Sequence, residues 1–275
     1  MRVALRRPTS GCTGREPLRF CIAGSILHRV AVRASEPQRR WADRTFIRMD
    51  PRERLRAGEQ AAREGRHEEA LDHYVWFHEH ALEHDRALYG VRLSFALASW
   101  AELARAYPRA AEVLTEIRDR KTERLRTGEG NHDVFNDVEA INEYLDDHEA
   151  TYRLFVELHS TFPELAKTCA SVAMPVLIKK QDYKLARIFM EQPEEAIRQW
   201  SATLENDIAA FATKPPVKEA FIRIYVEHVR EILEAFTGVG EVETASKLRR
   251  LAIENIDAAD VRASVENALP ELPLR

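Results

Sequence analysis

The stretch "EGRHEEALDHYVWFHEHALEHD", Glu64 to Asp85, admits three readings, and the choice among them decides the fold. It holds five histidines, seven acids and three aromatics, so it can be a metal site, a sticky surface or one unit of something repeated. The third reading explains its spacing. Gly65 ends one helix, Ala70 follows five residues later, and Tyr74 stands four beyond that. "GEVETASKL" sets Gly240 before Ala245 in the same way, "YPRAAEVL" places Ala110 with Leu114, "DDHEATYRLF" places Ala150 with Leu154, and "KQDYKLARIFM" places Ala186 with Met190. These alanines step by 40, 40, 36 and 59 residues. A small residue at one fixed point per unit lets two helices cross closely, which is the signature of stacked helix pairs.

The rest of the chain from residue 49 agrees. It contains seven glycines and nine prolines and no alternation of apolar and polar residues long enough for a sheet. Apolar residues recur instead every three or four positions, as in Leu93, Leu97, Trp100, Leu103, Ala104 and Tyr107, which predicts one helical face. Breaks are expected at Gly65, Tyr107-Pro108, Gly128 to Gly130, Phe162-Pro163, Gln181-Asp182, Gln192-Pro193, Pro215-Pro216 and Gly238 to Gly240. The body is all-α.

Gly58, Gly65, Ala70 and Tyr74 stand in the register of a tetratricopeptide repeat, and residues 52–85 resemble that family. Arg54, Ala61 and Leu82 depart from its usual aromatic, tyrosine and proline, and the steps of 40 exceed the family's ~34-residue period. The resemblance implies an αα-solenoid of about five helix pairs over roughly 50–255, with an extra helix at 193–216. It also implies a concave groove lined by the first helix of each pair. Carried over, the groove positions are Arg52, Glu59 and Arg63, then Arg92, Ser99 and Glu102, then His132, Phe135, Glu139, Asn142 and Glu143, and finally Thr168 and Ser171. Leu55 and Glu59 occupy positions where some family members carry a carboxylate clamp, so a peptide's terminal carboxylate is not the expected ligand. With four glutamates against three arginines, the groove is expected to take a protein or peptide segment bearing Lys or Arg.

Charge divides the chain. Residues 1–48 carry eleven arginines against three acids, a balance of +8, while the remainder carries 30 basic and 42 acidic residues, a balance of −12. The first segment is expected to be a disordered basic arm, or to lie upstream of a start at Met49, where Asp50 and Pro51 open a helix. Residues 49–275 form the helical-repeat domain. Its acidity argues against nucleic acid, whose phosphates require clustered Lys and Arg. The longest apolar run, Phe20 to Leu27, falls short of the ~18 residues that span a membrane. The cysteines Cys12, Cys21 and Cys169 form no disulfide framework, which suits the cytoplasm.

No reaction class emerges, and no cofactor is expected: the chain lacks a phosphate loop, and "GVGEVE" lacks the third glycine of a dinucleotide site. A non-enzymatic binding scaffold is therefore the leading reading. The alternative is a metal-dependent enzyme or sensor on the His-rich helices at 67–84 and 132–148, with His73, His80 and His84 as the candidate ligands. Cys169, within "LAKTCASVAMPVLI", reads as buried filler, and the run "RDRKTERLR", Arg118 to Arg126, as a solvated face near a helix end.

Overall fold

Asp50 and Pro51 begin the first helix as their chemistry requires. The Asp50 carboxylate accepts the Arg52 N–H at 2.8 Å, and Pro51 takes the first turn, where it has no N–H to leave unpaired. In this computed structural model the described residues are 49–211 and 214–272, all within one compact unit, Arg44–Arg275. The basic segment 1–48 lies outside them.

The elements are α1 (Pro51–Arg63), α2 (His67–His84), a 3-10 turn (Arg86–Leu88), α3 (Tyr89–Leu93), α4 (Phe95–Ala106), α5 (Pro108–Arg126), α6 (His132–Tyr144) and α7 (His148–Thr161). They continue with α8 (Pro163–Lys179), α9 (Tyr183–Ile188), α10 (Pro193–Phe211), α11 (Pro215–Gly238), α12 (Val242–Glu254) and α13 (Ala259–Ala268). No strand occurs among the described residues. Leaving aside the short α3, consecutive helices from α1 to α9 pack on one another, and the second neighbours α1 and α4, α4 and α6, α5 and α7, and α6 and α8 also touch. α11 rather than α10 packs against α8 and α9, and α10 packs instead on α11 and α12, so 193–211 forms an added helix beside the sequence of neighbours.

Five of the reversals share one geometry. Gly65, Gly128, Asp146, Gln181 and Gly240 all have left-handed φ, between 56° and 87°. At each of them the next residue's N–H reaches back five residues: Arg66 to the Ala61 carbonyl at 2.9 Å, Glu129 to Arg124 at 2.9 Å, Asp147 to Asn142 at 2.8 Å, Asp182 to Leu177 at 3.0 Å and Glu241 to Phe236 at 2.8 Å. These bonds satisfy carbonyls that the ending helix leaves unpaired and turn the chain back on itself.

This geometry corrects the spacing read from sequence. Where the next helix starts two residues after the left-handed position, the fifth residue is small: Ala70, Thr151, Ala186 and Ala245 are 0%, 3%, 0% and 0% exposed, whereas the connection after Gly128 is two residues longer and Asp133 there is exposed. Ala150 is only half-buried, so Thr151 is the small residue at the third crossing. Four breaks fall outside those expected: at Asp85, at Ser94, between Tyr144 and His148, and between Glu254 and Ala259. α6 ends at Tyr144 and α7 starts at His148, with Asp146 rather than glycine in the turn. The stripe Leu93 to Tyr107 is not one helix, because Ser94 bends the chain (φ −114°, ψ −88°) and its hydroxyl donates to the Gly90 carbonyl at 2.7 Å. Leu97, Trp100 and Leu103 still form one buried face.

Close approach is visible at the first crossing. A Cβ on Gly58 of α1 would stand 2.9 Å from the Tyr74 ring and 3.0 Å from the His73 Cβ on α2. Ala70→Leu adds bulk within the same pair and is expected to cost roughly 1–3 kcal/mol in chemical denaturation. Ala62→Leu, on a half-buried position facing away from that crossing, is expected to change stability by less than about 0.5 kcal/mol. Equal losses at the two sites would contradict this packing.

Candidate functional site

α1 and α4 stand side by side, and between them lies a cavity of about 480 Å³. Glu59 and Arg63 project from α1, Ser99 and Glu102 from α4, and Tyr74 of α2 reaches the cavity from behind them. These four polar residues, predicted separately from two units, share one site. Tyr74 is stacked on Trp100 with centroids 6.4 Å apart, which fixes its ring. Burial, and then the Glu59 carboxylate, push its hydroxyl up to about 12, partly opposed by a hydrogen bond with Ser99. Tyr74 is thus a neutral hydrogen-bonding group at neutral pH.

The remaining predicted positions divide. Arg52 is exposed and paired with Asp85 at 3.0 Å. His132 is half-buried beside Asp133 at 3.2 Å, and Glu143, Thr168 and Ser171 are exposed. Three residues are not on a surface at all. Phe135 is 0% exposed and packs edge-on against Phe155, with centroids 6.0 Å apart. Asn142, 1% exposed, donates to the Thr151 hydroxyl at 3.0 Å and accepts from Arg118 at 2.9 Å.

Arg92 is the third, and it anchors a buried network. Its guanidinium donates through both terminal nitrogens to the Asp137 carboxylate, and one of them also reaches the His78 carbonyl at 3.3 Å. Lys121 adds a bond to Asp137 at 2.6 Å. Burial and then the Arg92 and Lys121 charges push His78 down to about 3, so its imidazole is neutral. Burial alone would raise the Asp137 carboxyl, but the Arg92 hydrogen bond and the two neighbouring cations outweigh it and hold the group below the usual carboxylate range. Groups from α2, α3, α5 and α6 therefore meet around one charge.

The basic run of α5 is likewise engaged rather than a free solvated face. Arg118 pairs with Asp147 at 3.2 Å, Arg120 with Glu79 at 2.6 Å and Arg126 with Glu157 at 3.0 Å. Of the metal candidates, His73 is 4% exposed and 4.0 Å from Glu69, while His80 and His84 lie against the Trp76 ring at 5.6 and 5.4 Å. Among the described residues no three His, Cys, Asp or Glu side chains are grouped to hold an ion. Cys169 is buried in α8, and burial pushes its thiol up.

Sequence reasoning missed Tyr74 as a cavity residue, since it read as a packing position of the first unit. No known protein family, curated protein or solved structure matches the chain.

Two measurements test these assignments. Asp137→Asn leaves Arg92 and Lys121 short of a buried counter-charge and is expected to lower the unfolding free energy by roughly 3–5 kcal/mol. Glu139 gives a pH signature. Burial first, and the neighbouring Glu143 second, push its carboxyl up from 4.5 to about 7. The folded state then holds this proton more tightly than the unfolded chain, and the stability contributed by protonation is lost as pH rises through about 7. Glu139→Gln, neutral throughout, is expected to melt with the parent protein at acidic pH and above it at alkaline pH.

Proposed function

We propose that the chain is a tetratricopeptide-like repeat module that binds an extended protein segment bearing Lys or Arg, without catalysing a reaction. On this reading the helix pairs are α1/α2, α4/α5, α6/α7, α8/α9 and α11/α12, with α10 as the added helix. The observation that carries the proposal is the charge left on the groove side. With Arg92 taken up by Asp137, the groove positions retain Glu59, Glu102 and Glu143, with Glu139 only partly ionised near neutral pH, against Arg52 and Arg63, and Arg52 is already paired with Asp85. A cavity with two carboxylates at its mouth and a phenol behind them suits a cationic side chain with a hydrogen-bonding backbone. Surface carboxylates of this kind act most strongly on association rate, and salt screens them.

The test uses fluorescent peptides of equal length, one rich in lysine and one in glutamate, titrated against the full chain. The lysine peptide is expected to bind, and added salt is expected to weaken it. Glu59→Lys with Glu102→Lys should weaken binding roughly tenfold or more, the scale of lost charged hydrogen bonds. Ala62→Trp should block the cavity, with folding of both variants checked by circular dichroism. Undiminished binding by folded variants, or a preference for the glutamate peptide, would exclude the proposed groove.

A further inference from the structure

A second cavity, of about 460 Å³, opens between α8, the α9–α10 connection, α10 and α11. Its apolar lining includes Phe189, Trp200, Ile232 and the thioethers of Met174 and Met190. Methionine adapts to irregular shapes, and the volume lies in the range of small-ligand sites, ~300–1,000 Å³.

Two charged pairs stand in this lining, and they differ. Lys167 and Glu191 form a 3.2 Å pair whose side chains are 61% and 66% exposed, so they neutralise each other at the rim. Glu231 is only 20% exposed, and its imidazole partner, His228, is 3.9 Å away, beyond a normal hydrogen bond. His228 in turn lies on the indole of Trp200, with centroids 5.0 Å apart and planes 29° from parallel. Glu231 thus adjoins a stacked aromatic pair, and a carboxylate next to π-rings is an arrangement that attracts a cation.

The protein's own side chain already responds to it. Glu231 chiefly, with Glu227 adding to it, raises the His228 pKa above its ordinary value against the opposing effect of burial. Positive charge is thus favoured at this spot although the walls are apolar. Lys167, the other cation of the lining, faces Glu191 instead.

We propose that this cavity binds a small organic cation with an apolar body, its ammonium or guanidinium held by Glu231 beside the His228–Trp200 stack and its body packed on Phe189, Met174 and Met190. The site is separate from the α1–α4 cavity and does not depend on peptide binding there.

Three probes of one shape distinguish the possibilities: phenylbutylammonium, phenylbutanol and phenylbutyrate, each titrated into the full chain by calorimetry. The ammonium is expected to bind saturably and to shift the Trp200 indole resonance, assigned with Trp200→Phe. Glu231→Gln is expected to weaken the ammonium roughly tenfold, as for loss of a hydrogen bond to a charged group, and to leave the alcohol unchanged. Equal binding of the alcohol would reduce the site to an apolar cavity, and preferential binding of phenylbutyrate would make it an anion site. Either result overturns the proposal, as does the absence of saturable ammonium binding or an unmoved Trp200 resonance. Because the probe series is run on the unmodified protein, it remains decisive even if a variant fails to fold.

Discussion

A single left-handed residue between consecutive helices is the constraint on which most of the architecture rests. Once Gly65, Asp146, Gln181 or Gly240 takes positive φ, two backbone bonds fix how the chain leaves one helix and enters the next. The residue five positions later then falls at the crossing and has to be small. Ala70, Thr151, Ala186 and Ala245 follow from that geometry, and the buried faces around them are set by helical periodicity. The α4/α5 pair is built differently: Tyr107 in extended backbone and Pro108 at the first helical position bring Ala110 to the crossing without a left-handed turn.

Most of this was legible because glycine and proline mark their conformations openly. Gly65, Gly128, Gly240, Pro108, Pro163 and Pro193 each stand at a helix boundary. Asp146 takes a glycine's place without looking like one, and the Ser94 bend depends on a serine hydroxyl that is as common inside helices as at their ends. The errors in the site trace to the same places. Taking Ala150 for Thr151 shifts the third unit by one residue, which turns a helical face by about 100°. Arg92 lies before the unseen bend, so its side chain enters the core instead of the groove. The α5 basic run misled for another reason: its partners Glu79, Asp137, Asp147 and Glu157 are distant in sequence, and a charge's partner is invisible until the helices are placed.

The two cavities use the same ingredients in different proportions. Between α1 and α4, polar groups from two neighbouring helices surround a phenol. Between α8 and α11, aromatic rings and thioethers predominate, and one sheltered carboxylate supplies the polarity. The added helix α10 makes the second cavity possible, because it contributes Ala196 and Trp200 from outside the order in which the other helices pack. The first cavity is thus a product of regular stacking and the second of its interruption.

The pair between Arg92 and Asp137 also bears on synthesis. These residues are 45 positions apart, so the arginine leaves the ribosome well before its carboxylate. At roughly 5–20 residues per second, the nascent chain spends several seconds with α1 to α4 complete and no acid to receive that guanidinium. Hydrophobic collapse of those helices alone would bury an uncompensated cation. The final packing around Arg92 therefore depends on α6, the helix that brings its carboxylate.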